Sequence, residues 1–150
     1  MSFDEICMRE AVHLARLGAQ SGEVPVGAVA AHGGAIVARA FNAPITRHDP
    51  TAHAEMLVLR QTAEQLGNYR LAGVTLYCTL EPCVMCAGAL VNARVDRLVF
   101  GARDLRFGGV RSKFQLADSD LLNHRVEVVE GILGSECAEL LREFFESRRG

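Results

Sequence analysis

Two short motifs, His53-Ala54-Glu55 and Pro82-Cys83-Val84-Met85-Cys86, constrain this chain more than any other feature, because their side chains serve one purpose only if the fold brings them together. Each motif opens a stretch with helical patterning, and the β-branched run Val74–Thr79 lies between them. Cys83 and Cys86 are three apart, which places both sulfurs on one face of a first helical turn, where the positive end of the helix lowers thiolate pKa values. Two thiolates and an imidazole suit zinc. Three protein ligands leave the fourth tetrahedral position open to water, the arrangement that separates a catalytic zinc from a closed structural one.

Zinc lowers the pKa of such a water to about 7, but hydrolysis of an amine also needs a group that carries protons. Glu55 is placed for that role. It lies two residues after His53 and would not share its face in mid-helix, so both converge only if they occupy an irregular helix start. Other readings of a lone C-x-x-C are a redox pair or half of a zinc knuckle. A redox pair leaves His53 and Glu55 without a role, and a structural zinc would want a fourth ligand, for which His48 and His124 are the spare candidates.

The order of elements calls for a sheet with helices on both faces. Apolar positions at helical spacing predict a helix over Ser2–Gln20, and two strands, Val24–Ala31 and Ala35–Phe41, flank the His32-Gly33-Gly34 turn. The segment 42–50 reads as loop, with Thr51 capping a helix that runs to about Leu66. Strand Val74–Thr79, helix Cys83–Val91 and strand Val95–Phe100 follow. After a long connection over Gly101–Asn123 come strand Val126–Glu130 and a last helix reaching about Arg148. The reading is αββαβαββα, a single domain over 1–150.

With 150 residues, 49% hydrophobic and 23% charged, the chain can bury one substantial core. It lacks an apolar run of ~20 residues, and its acidic start, Ser2–Glu10, is unlike a signal peptide, so a cytoplasmic protein without a membrane partner is expected. Five cysteines suit a disulfide framework poorly, and Cys7, Cys78 and Cys137 stand singly in apolar surroundings as small packing residues. The net charge of −2 gives no global pull on polyanions. A nucleic-acid partner would have to be met locally, by Arg103, Arg106, Arg111 and Lys113, opposed only by Asp104, or by Arg148 and Arg149 at the end of the chain.

H-x-E…P-C-x-x-C is the known signature of zinc nucleobase deaminases. The segments Glu23–Val29, Arg47–Glu55, Thr79–Ala89, Gly101–Asp104 and Asn123–Val126 together resemble the bacterial tRNA-specific adenosine deaminase family over nearly the whole chain. The resemblance implies a three-layer α/β/α cytidine-deaminase-like fold with a mixed five-stranded sheet, one zinc per chain, and a homodimer acting on a tRNA anticodon stem-loop. It implies hydrolytic conversion of the wobble adenosine to inosine, with attack at C6 while Glu55 protonates N1 and then the departing amine of a flipped-out base. Carried over by position, Asn42 hydrogen-bonds the purine, Val24 lines its pocket and Asp104 contacts a neighbouring sugar.

Phe144 and Phe145 are about 100° apart around a helix and cannot both point straight into the core. An exposed aromatic beside Arg148 would suit a splayed anticodon base, and the alternative is that both line a wide apolar face. Leu105–Asp120 departs from the family pattern, with Leu105–Phe114 standing where a smaller, Gly/Ala-richer stretch is expected, so the way RNA approaches the site can differ. Two other functions fit less of the sequence. A deaminase of a free base or nucleoside shares the zinc chemistry, and a non-catalytic zinc-stabilised RNA-binding subunit gives Glu55 no task.

Overall fold

The computed structural model describes residues 1–149, with the side chain of Arg149 excepted. A five-stranded sheet in the order β2-β1-β3-β4-β5 forms the middle layer. Its strands are β1 (Gly27–His32), β2 (Ala35–Phe41), β3 (Thr75–Leu80), β4 (Arg97–Ala102) and β5 (Glu127–Glu130). β1 runs antiparallel to β2 and β3, whereas β3, β4 and β5 are mutually parallel, so the sheet is mixed. Helices α1 (Phe3–Gln20) and α5 (Gly134–Arg149) cover one face. Helices α3 (Ala54–Leu66) and α4 (Val84–Asn92) cover the other, completing the three-layer α/β/α arrangement.

Alternation along the strands divides the core. Leu76 and Cys78 of β3 enter the α3/α4 side, while Tyr77 between them enters the α1/α5 side. The small residues of β1 let helices approach from both sides. At Gly27 a Cβ would meet the Ala11 carbonyl oxygen of α1 at 2.0 Å, so only glycine admits that crossing. Helix α1 starts where Ser2 Oγ accepts the Glu5 N–H at 3.2 Å. Its Asp4 accepts from Tyr77 Oη at 2.7 Å and from Arg97 Nη1 and Nη2 at 2.8 and 2.7 Å, fastening the first turn to β3 and β4. Cys7, Cys78 and Cys137 are buried in the core, and all five cysteines are free thiols.

Besides shifts of one or two residues at other strand ends, such as β4 at Arg97–Ala102 where Val95–Phe100 was expected, the structure differs from the sequence expectations around β1 and α3. The strand expected from Val24 begins at Gly27, because Pro25 has no N–H to give a ladder and Val26 N–H turns back to the Val24 carbonyl at 2.8 Å. The loop after β2 contains one short helix, α2 (Pro44–Arg47), started by proline and closed by His48 in a left-handed conformation at φ 51. Thr51 does not cap the next helix, since its amide and hydroxyl bond Asp49 Oδ1 at 2.9 and 2.7 Å, and His53 takes the capping position. The long connection between β4 and β5 carries no helix, and buries Val110 and Ala117 instead.

Candidate active site

The carboxyl ends of β3 and β4, the start of α3 and the start of α4 meet at one cleft of about 560 Å³. Ligand sites of open α/β sheets form at this end of parallel strands. His53 has extended backbone at φ −72 and ψ 152, and its ring makes no capping hydrogen bond. Glu55 is already the second residue of α3. The change of backbone conformation between them lets two residues with incompatible mid-helix directions line the same cleft. Cys83 caps α4, and Cys86 follows one turn later, buried.

His53 Nδ1 lies 3.5 Å from Cys83 Sγ and 3.5 Å from Cys86 Sγ. Bonds of about 2.3 Å to sulfur and about 2.0 Å to nitrogen, at a tetrahedral angle, separate such ligand atoms by about 3.5 Å. The three side chains form a candidate metal site whose spacing and donor set fit one tetrahedral ion. Among the described residues no fourth His or Cys joins it: His124 Nε2 is 2.8 Å from the Val95 carbonyl oxygen, and His48 closes α2.

The electrostatics favour a thiolate at this place. Hydrogen bonding from Cys86, and then from His53, holds the Cys83 thiol down at about 4, against the cost of burial. Cys86 is pushed up, first by its bond to Cys83 and then by burial. The Cys83 contact raises His53. Burial raises the Glu55 carboxyl and favours its protonated form, with His53 opposing.

Val24, Asn42 and Asp104 line the same cleft, together with Leu105, Arg106 and Phe107. Asn42 is 9% exposed and lines the cleft with its polar side chain. Asp104 does not pair with a neighbouring arginine. Its Oδ1 accepts the Arg106 and Phe107 N–H groups, while Arg103 pairs with Glu130 at 2.8 Å. Arg111 pairs with Asp118 at 2.9 Å, so the expected basic loop is half neutralised.

Phe144 and Arg148 stand apart from the cleft, with the guanidinium 4.4 Å from the ring centroid and Arg148 Nη2 donating to the Gly22 carbonyl at 3.1 Å. It is Phe145, 48% exposed, that lines the cleft with Leu141. The Arg149 contribution expected for a basic tail lies outside the described side chains.

Two buried carboxylates that sequence reasoning had left without a role brace chain segments, Glu81 in the cleft wall and Glu23 next to the lining residue Val24. Glu23 accepts the Ile45 and Thr46 N–H groups at 3.3 and 2.7 Å and the Thr46 hydroxyl at 2.6 Å, holding α2. Glu81 accepts the N–H groups of Asp104, Val110, Arg111 and Ser112 at 2.7–3.1 Å and the Ser112 hydroxyl at 2.5 Å. Burial works against both charges, but these hydrogen bonds outweigh it and both carboxyls are lowered. The only sequence signal for either was its place in a motif, Glu23 before Val24 and Glu81 before Pro82.

Comparison with known proteins places this architecture. The pattern of the MafB19-like deaminase family matches residues 2–149. The tRNA-specific adenosine deaminase of Haemophilus influenzae is 47% identical, over 98% of this chain and 86% of that protein. The chain belongs to the tRNA-specific adenosine deaminase family. The Bacillus subtilis enzyme of that name is 46% identical, over 99% of this chain and 92% of its own. A solved structure from work on A-to-I editing by tRNA deaminases at the wobble position matches with a TM-score of 0.88 and 42% identity, covering 91% of this chain and 99% of that one. Deaminase chemistry and the cytidine-deaminase-like fold thus come with the family.

Proposed function

We infer that this chain is a hydrolytic deaminase that converts the wobble adenosine of a tRNA anticodon to inosine. The observation that carries the reading is that His53, Cys83 and Glu55 line one cleft, with Cys86 buried beside the first two as a third possible ligand, in a chain nearly half identical to tRNA-specific adenosine deaminases. The metal is zinc, one per chain, held by His53 Nδ1 and the two sulfurs, for which the 3.5 Å spacings and the lowered Cys83 thiol speak. When bound there, zinc supplies a Lewis acid that activates a water as nucleophile at neutral pH.

The protein's own groups do the rest. Glu55 takes a proton from the nucleophilic water, gives it to N1 of the purine, and then carries a proton to the amine as the C6–N bond breaks. One water is consumed, the base gains an oxygen at C6, and ammonia leaves. A carboxyl whose burial favours the protonated form is suited to delivering that proton. The Asn42 amide, lining the cleft, offers a donor and an acceptor to the purine edge, with Val24 packed against the ring and Asp104 at the mouth near a neighbouring sugar. Because a base stacked in a loop cannot reach a site at this depth, the nucleotide enters flipped out.

The enzyme works as a single-domain homodimer in the reducing cytoplasm. The exposed apolar side chains of Val84, Phe114, Leu121 and Leu122 supply surface for a subunit contact, and the absence of disulfides suits that compartment. No helix among the described residues is long and apolar enough to cross a membrane. To test the function, zinc-loaded protein is incubated with a tRNA transcript carrying adenosine at the wobble position. Inosine at that nucleotide, formed far more slowly with Glu55→Gln, is the expected result, whereas an unmodified transcript with the wild-type protein would remove the assignment.

A further inference from the structure

The chemistry inside the cleft leaves three side chains at its rim unexplained. Leu105, Arg106 and Phe107 line the opening beside Phe145, and Leu105 and Phe107 are 74% and 66% exposed. Apolar side chains on a loop usually gain burial by folding back onto the protein. Here the backbone prevents it. Asp104 Oδ1 accepts the Arg106 and Phe107 N–H groups at 3.0 and 3.1 Å, and the Gly108 N–H bonds the Asp104 carbonyl at 2.9 Å.

The loop is gripped on both sides of this turn by the buried Glu81 carboxylate, at Asp104 on one side and at Val110, Arg111 and Ser112 on the other. Gly109 N–H reaches the Pro82 carbonyl at 2.8 Å, directly before the metal ligand Cys83. A Cβ at Gly109 would meet Val84 N at 2.8 Å, so the loop lies flush on the start of α4. The rim is therefore presented on a frame fixed to the metal-binding turn.

Charge separates this rim from the rest of the loop. Glu130 and Asp118 neutralise Arg103 and Arg111, and of the two loop cations with no ion pair among the described residues, Arg106 and Lys113, Arg106 is the one that lines the cleft. A rigid aromatic ring, an aliphatic neighbour and a spare guanidinium at the mouth of a nucleotide-sized cleft are what holds an unpaired base and its phosphate.

We propose that Leu105, Arg106 and Phe107 form a stacking subsite for an unpaired nucleobase adjacent to the one that enters the cleft, with Arg106 on the connecting phosphate. The proposal rests on the RNA reading of the cleft and adds to it a determinant of which anticodon neighbours are accepted. The subsite makes neighbour preference a matter of the rim, separate from the chemistry inside the cleft.

The test uses the zinc-loaded protein and Phe107→Ala, assayed on anticodon stem-loops in which each neighbour of the target adenosine is replaced in turn by an abasic nucleotide. Phe107 is exposed, so its truncation spares the core. The expected result is a rise in KM of roughly fivefold or more for the variant on the intact stem-loop, as loss of one base stack gives. With wild-type protein one abasic substrate shows the same loss, and variant and abasic substrate together lose no more than either alone.

An unchanged KM, losses that multiply, or a variant that changes oligomeric state would overturn the subsite while wild-type activity stands. Wild-type protein that makes no inosine in any stem-loop would instead overturn the RNA reading, and the subsite with it.

Discussion

His53 and Glu55 serve one cleft because the backbone changes conformation between them, extended at His53 and helical from Ala54. Replacing Glu55 by Gln keeps the shape and removes the proton carrier, so turnover should fall by roughly 10²–10⁴-fold with metal content unchanged, read by single-turnover kinetics and metal analysis. Asn42→Ala should also lose turnover while keeping its metal, and unchanged turnover would remove Asn42 from the substrate's contacts. His53, Glu55, Cys83 and Cys86 were legible in the sequence because ligation and proton transfer demand particular residue types at short spacings, whereas Asn42 came only with the family resemblance. Glu23 and Glu81 were not legible. Their partners are backbone amides far along the chain, and an amide leaves no mark in the sequence. The choice between Phe144 and Phe145 was likewise closed to sequence reasoning, since neighbours on a helix differ only in which side the core lies.

At the level of elements, the strands, the long helices and their order could be read, while boundaries moved wherever a local bond outweighed the periodic pattern. Pro25 delays β1, and Asp49 claims the Thr51 hydroxyl that would have capped α3. The Glu81 grip on the loop is such a bond on a larger scale. Glu81→Gln places donors against backbone N–H groups, and leaving buried donors unsatisfied costs about 1–3 kcal/mol each. Hydrogen exchange at Val110, Arg111 and Ser112 should accelerate in that variant, and protection equal to wild type would show that the carboxylate does not hold the loop.

A second tie fastens α1. Arg97, and then Tyr77, hold the Asp4 carboxyl at about 2, with burial opposing. A carboxyl lowered on folding stabilises the fold above its unfolded value and loses that contribution as pH falls toward its folded one. Wild-type stability should therefore drop more steeply than that of Asp4→Asn between about pH 4 and pH 2, as acid denaturation followed by circular dichroism would show. Parallel curves would separate Asp4 from the acid limb.

For the whole molecule, the charge of −2 leaves RNA affinity to local surface, and pairing within the loop reduces what is available there. Among its four cations, Arg106 and Lys113 have no ion-pair partner among the described residues. Two phosphate contacts to a single strand give a slope of about −1.4 in log affinity against log salt, where four would give about −2.8. Binding titrations at several salt concentrations measure it, and a slope near zero would take phosphate away from this face.

Whether the His53, Cys83 and Cys86 cleft acts on an adenosine held in RNA is decided by giving the zinc-loaded protein an adenosine-containing anticodon stem-loop and, in parallel, free nucleosides and bases, and identifying the products by mass spectrometry. Inosine in the stem-loop with the free compounds unchanged is the predicted result. Deamination of free nucleosides or bases with the stem-loop untouched would contradict it.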